Sequence, residues 1–103
     1  MNNCTLALTI SELPEVRYTA NGDKTGQSVG EFYSPHHHEK SQPSPPSQIK
    51  IITWGESLTE QLYNLEIGRQ YIISGRLSTN TVERAEGFKE KRVELIAERI
   101  FGV

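Results

Sequence analysis

The sequence predicts an all-β fold, a five-stranded Greek-key barrel with one short helix between the third and fourth strands. Three observations carry this. Apolar and polar residues alternate in short segments, the period of a half-buried strand. Turn residues separate those segments, including Asn21-Gly22 and the glycines Gly68 and Gly87. Helical spacing appears in one place, where Leu58 and Leu62 lie four residues apart. A length of 103 residues, with 35% hydrophobic residues, suits a single domain spanning 1–103 with one small core.

Taken in order, Asn3 to Leu13 alternates Cys4, Leu6, Leu8 and Ile10 against Thr5, Ala7, Thr9 and Ser11, which reads as the first strand. Pro14 has no N–H to give a ladder and ends it. Asn21-Gly22 marks a hairpin turn, with Lys24 to Gly26 continuing its polar tip. Gln27 to Ser34 reads as the second strand, and Gly30 inside it marks a bulge or tight barrel bend. Ser34 to Ser47 holds four of the five prolines and three adjacent histidines without periodicity, so a mobile loop is expected over 34–47. Gln48 to Trp54 is the third strand and Glu56 to Asn64 the helix. Leu65 and Ile67 are expected to plug one end of the core, and Gly68 closes the turn. Gln70 to Leu77 is the fourth strand, Ser78 to Lys91 a polar hairpin loop, and Arg92 to Phe101 the fifth strand. This is the element order of an OB fold.

On the third strand, Ile49, Ile51 and Thr53 share one side, while Gln48, Lys50, Ile52 and Trp54 share the other. The second side pairs a cation with an exposed-type indole and suits the surface more than the core. An unpaired base can stack on such a ring while its phosphate meets the cation. The last hairpin interleaves Arg84, Phe88, Lys89, Lys91 and Arg92, again a pattern that fits a single strand's backbone and bases. Arg76 is a further candidate for the groove. Arg17 and Tyr18 are read as structural, the ring packing and the guanidinium reaching carbonyls.

Charge argues for a local patch. The formal net charge is −2, whereas nucleic-acid-binding domains are usually basic. Up to Ser47 there are three Lys/Arg against five Asp/Glu, and from Gln48 onward eight of each. The lone Cys4 can form no intramolecular disulfide and reads as a small buried hydrophobe. No apolar run reaches membrane-spanning length, and the N-terminus lacks the pattern of a signal peptide. A cytoplasm-like, reducing compartment is therefore expected, with no membrane partner. His36, His37 and His38 lack the fixed geometry of a metal site. No catalytic constellation or phosphate-cradling glycine loop is recognisable, so neither an enzyme nor a cofactor is expected.

Pro14-Glu15-Val16-Arg17-Tyr18 with Asn21-Gly22, the strand ending Trp54-Gly55 ahead of a helix, and Gly68 followed by Ile73-Ser74-Gly75-Arg76-Leu77, Glu86-Gly87 and Glu94-Leu95-Ile96-Ala97-Glu98 together resemble the bacterial single-stranded DNA-binding protein family. The resemblance covers nearly the whole chain and is similar in length to short cyanobacterial and plastid members. It implies an OB fold and low-specificity binding of single-stranded DNA in replication, recombination or repair. It also implies a homodimer or homotetramer paired through first strands, and a nucleoid or plastid-like setting. The chain departs from the pattern as well. Family stacking aromatics fall near His38, Gln48 and Val82 here, and only Trp54 remains. Leu8 stands where the family tends to have a small residue. The family's acidic recruiting tail has no counterpart, so replication proteins are not expected to be recruited through one. The alternatives are a protein-interaction OB adaptor that has lost most nucleic-acid contacts, and a single-stranded RNA binder.

Overall fold

The computed structural model describes residues 3–32, 46–83, 85–87 and 89–103. Among these residues there are six strands, β1 (Cys4–Ile10), β2 (Glu15–Tyr18), β3 (Lys24–Phe32), β4 (Ser47–Trp54), β5 (Gln70–Glu83) and β6 (Lys89–Gly102), and one helix, α1 (Glu56–Tyr63), which lies between β4 and β5 in the chain. The sheet order is β1-β5-β6-β4-β3-β2, and β1 also pairs with β3. That last pairing closes β1, β5, β6, β4 and β3 into a barrel and leaves β2 as an added strand on the edge of β3. Only β4 and β6 run parallel; the other pairs are antiparallel.

The core is filled by the inward half of each alternating strand. Leu8, Ile10, Ile49, Ile51, Tyr71, Ile73, Leu95 and Ala97 are buried, with Leu62 of α1 sealing one end. β3 contributes small residues at its buried positions: Gly26, Ser28 and Gly30. A Cβ on Gly26 would lie 2.7 Å from Thr53 Oγ1 and 3.1 Å from both Leu62 and Thr59, so the small residue is what lets α1 dock. The buried hydroxyls of Thr53 and Thr59 hydrogen-bond each other at 2.9 Å across that contact. Ser28 Oγ donates to the Glu12 carbonyl at 2.9 Å. The Gly68 turn is stapled to β1, its N–H donating to the Ile10 carbonyl at 2.7 Å.

Several boundaries differ from the expectations above. Lys24 to Gly26 belongs to β3 rather than to a polar tip, and Glu15 to Tyr18 forms a strand paired with it. The buried positions of β3 are Gly26, Ser28 and Gly30, so the usual strand signal is missing over its first half. Ser78 to Glu83 and Lys89 to Lys91 are strand rather than loop, and β5 and β6 continue as a two-stranded ribbon. Ser78, Thr79, Thr81, Glu83, Arg92 and Val93 are all exposed on this ribbon. A ribbon wet on both faces has no reason to alternate in polarity. Ile67 does not plug the core, being 51% exposed, whereas Leu65 does pack against it. Cys4 is a free thiol, half-buried against the core. Gly30 marks the barrel corner, where β3 pairs with Ile49 on one side and Ile10 on the other.

Among the glycines, the closest approach of another backbone is at Gly75, where β5 and β6 shift register. A Cβ there would sit 2.0 Å from the Ile96 carbonyl oxygen, a backbone atom that cannot swing aside. Gly75→Ala is therefore expected to destabilise the fold by at least the ~1–3 kcal/mol of an overpacked core. Chemical denaturation measures this, and an unchanged midpoint would show that the strands do not approach so closely.

Candidate nucleic-acid interface

Residues that face each other across paired strands point to the same side of a sheet, so the register builds the outer face row by row. Trp54 opposes Thr25, which in turn opposes Arg17. Ile52 lies between Gln27 and Ile96, and Ile96 opposes Arg76 on β5. Lys50 lies between Val29 and Glu94. The expected face of β4 is thus observed: Ile49, Ile51 and Thr53 are buried, Lys50 and Ile52 are half-buried, and Trp54 is 53% exposed. Sequence reasoning anticipated Trp54, Ile52, Lys50 and Arg76, and the fold brings all four onto one surface. Arg92 is exposed on the β5–β6 ribbon opposite Asn80. Lys89 and Lys91 lie within β6, opposite Glu83 and Thr81 in register. Arg84, Phe88 and the histidines His36 to His38 lie outside the described residues.

Trp54 holds its place because β4 ends abruptly. Gly55 has φ +93°, a left-handed turn that suits glycine, and its N–H donates to the Lys24 carbonyl at 2.9 Å. Helix α1 then leaves the sheet without covering the indole. Beside the ring is an open cleft of about 570 Å³, lined by Tyr18, Gly22, Asp23, Lys24, Trp54 and Glu56. Tyr18 is 68% exposed, so it does not pack as expected. Arg17 also departs from expectation, bonding the Glu15 carboxylate rather than carbonyls. The exposure of Tyr18 was legible only from its position at the end of β2, a strand that sequence periodicity did not reveal. A second groove of about 520 Å³ runs beside Lys50, between Glu15, Gln27, Leu13 and Ile67.

The charges are paired. Lys50 Nζ lies 3.7 Å from Glu94 Oε2, Arg76 Nε 3.9 Å from Glu98 Oε2, and Arg17 Nη2 3.2 Å from Glu15 Oε2. A hydrogen bond from Gln27, then Arg17, holds the Glu15 carboxyl below its ordinary value. Lys24 donates to Glu60 of α1, and that bond raises the lysine above its ordinary value. Among the described residues no group of three or more His, Cys, Asp or Glu is arranged to hold a metal ion. None of the described helices is long and apolar enough to cross a membrane.

A small closed five-stranded barrel with a helix between β4 and β5 and an aromatic-bearing outer face belongs to the OB-fold class of binding domains. The model of the Single-strand binding protein family matches residues 1–101, and the chain belongs to that family. It is 37% identical over 100 residues to a thylakoid-associated single-stranded DNA-binding protein of Synechocystis sp., covering 97% of this chain and 74% of that protein. Among solved structures it resembles the SSB domain of a Synechococcus sp. protein, with a TM-score of 0.73 and 25% identity over 98% of this chain and 94% of the other. A Plasmodium falciparum SSB in complex with single-stranded DNA superposes with a TM-score of 0.81 at 14% identity, over 100% of this chain and 95% of that one, a likeness of fold.

The bond between Lys24 and Glu60 ties the floor of the Tyr18–Trp54 cleft to α1. Because the folded chain raises the lysine's pKa, its contribution to stability is complete below the ordinary value of 10.5 and is lost as pH rises through the raised one. Glu60→Gln should therefore lower the denaturation midpoint at neutral pH and lose that deficit well above 10.5. A deficit that persists unchanged in strong alkali would assign the loss to packing instead.

Proposed function

We propose that this chain binds single-stranded DNA without catalysis and with low sequence specificity, by stacking bases on the outer face of the barrel. The observation that carries the reading is Trp54, half exposed at the end of β4, on the same surface as Ile52, Lys50, Ile96 and Arg76. Membership of the Single-strand binding protein family supports it, as does the name of the Synechocystis relative. Tyr18 forms the other aromatic wall of the cleft beside Trp54, and this supports a second stacking surface there. Asp23 and Glu56 line the same cleft and disfavour a phosphate inside it. The backbone of a bound strand would then run along the outer face, past Lys50 and Arg76 and toward Arg92. Lys89, Lys91, Arg84 and Phe88 complete the proposed contact set on sequence grounds.

The working unit in this reading is a homodimer or a pair of dimers. β1 pairs with β5 over Cys4–Thr9 but with β3 only at Thr9 and Ile10. The edge of β1 over residues 4–8 therefore has no second strand partner among the described residues, which suits pairing with a copy of itself. Ala7, Ile72 and Phe101 form an apolar row next to that edge. Sedimentation at micromolar concentration should detect the dimer; monomer alone would remove this part of the reading. The compartment proposed is cytoplasm- or plastid-like, supported by the thylakoid association in the name of the Synechocystis relative.

Trp54 is the only tryptophan and reports on its own site. Its emission in the free chain should be that of a partly wet indole, and single-stranded oligothymidylate should quench it. Trp54→Ala should weaken binding by about 1–3 kcal/mol, with little change in thermal midpoint, while Trp54→Phe retains much of the affinity. Tyr18→Ala should weaken binding in the same direction. A blue-shifted emission, no quenching and a destabilised Trp54→Ala chain would favour the adaptor alternative.

A further inference from the structure

The outer face has the geometry of a binding surface, but the cations described on it around Trp54 and Ile52 are held by carboxylates. Five cations among the described residues, Arg17, Lys24, Lys50, Arg69 and Arg76, each lie within 4.0 Å of a carboxylate. Three of them, Arg17, Lys50 and Arg76, are the cations that the register places on the rows around Trp54 and Ile52. Their partners Glu15, Glu94 and Glu98 come from the same sheet, so the three pairs sum to zero charge where a polyanion would lie.

The pairing is built by the fold. Glu94 is the residue directly opposite Lys50 across the parallel β4–β6 contact, and its side chain is only 17% exposed. Glu98 is the extra residue of the β5–β6 register shift: Ser74 opposes Arg99 and Gly75 opposes Ala97, leaving Glu98 without an opposite residue. A bulge re-aims a side chain and recurs beside functional surfaces; here Arg76 meets the residue that the bulge inserts. Glu15 is fixed by a hydrogen bond from Gln27, its opposite residue on β3, and lies close enough to Lys50 to feel its charge. The Arg17–Glu15 and Arg76–Glu98 pairs are exposed on both sides, and exposed ion pairs contribute little to stability, so holding the fold together is a weak reason for these two.

We propose that Glu15, Glu94 and Glu98 are built-in competitors for the phosphates of a bound strand. In the free chain they occupy Arg17, Lys50 and Arg76, and a phosphate gains each cation only by displacing its carboxylate. The contact with nucleic acid is thereby set to be weakly charge-dependent, dominated by stacking and readily exchanged. This deepens the proposed function and rests on it.

The test is titration of the full chain with oligothymidylate over a range of salt, read by Trp54 quenching, for the wild type, Glu94→Gln, Glu98→Gln and the double variant. Freeing one cation should steepen the slope of log K against log salt by about 0.7. That slope corresponds to about fivefold tighter binding per pair for each tenfold reduction in salt. Lys50→Ala should cost more affinity in the Glu94→Gln background than in the wild type, the signature of coupled groups. Glu98 is the more exposed site and keeps the test usable if Glu94→Gln disturbs the fold. A wild type that binds, with variants of unchanged affinity and slope, overturns the competitor role and leaves the proposed function standing. No Trp54 response in any of the four chains overturns both. Binding that appears only in the variants supports the competitor role in its strongest form.

Discussion

The barrel depends on one short contact, the pairing of Thr9 and Ile10 on β1 with Glu31 and Gly30 on β3. Without it, β1 would hang from β5 as the edge of an open sheet. Closure at that corner brings Leu8 against β3, and Leu8 is fully buried. A Cβ on Gly30 would lie 2.9 Å from Leu8 Cβ and 3.1 Å from Ile51 Cδ1, so the leucine fits because the glycine opposite has no side chain. The large residue at position 8 is thus compensated across the barrel. A hydrogen bond from Ser11 N–H to the Val29 carbonyl, 2.9 Å, extends the seam past the last paired residue.

Closure also decides which side of β4 faces solvent. Once Gly26, Ser28 and Gly30 turn inward on β3, Thr25, Gln27 and Val29 must turn outward, and the register sets them beside Trp54, Ile52 and Lys50. The buried Thr53–Thr59 hydrogen bond anchors α1 beneath this strand instead of over it. The exposure of Trp54 therefore follows from packing on the opposite side of the sheet. A large residue at Gly26 would push on Thr53, Thr59 and Leu62 together and would disturb the indole through its own strand.

How much of this was legible in the sequence follows from where the core lies. β4 is wet on one side only, so alternation revealed its faces: Ile49, Ile51 and Thr53 are buried, and Lys50, Ile52 and Trp54 share the other side. β2 and the start of β3 were missed because Gly26 and Ser28 replace the apolar residues that mark an inward face. The β5–β6 ribbon was missed because both of its sides meet water, so only the strand propensity of residues such as Thr79, Thr81 and Val93 hinted at it. Tyr18 was assigned to packing because its strand was not seen. The pairing of Lys50 with Glu94 was beyond any local reading, since the two residues are joined only by a parallel contact between β4 and β6.

That contact also reconciles a binding face with a net charge of −2. A non-specific binder of nucleic acid usually draws most of its affinity from unpaired cations and loses it steeply with salt. Among the described residues, Arg17, Lys50 and Arg76 are already matched, and the exposed rings beside them are Trp54 and Tyr18, with Ile52 and Ile96 half-buried on the same face. Such a face favours chains whose bases are unstacked and available, because an intact duplex offers phosphates but no free base faces. If the proposed competition operates, discrimination between single and double strands comes from weakening the attraction common to both. On the proposed reading, the acidic composition, which at first counts against nucleic-acid binding, is a physical means of selecting the unpaired strand.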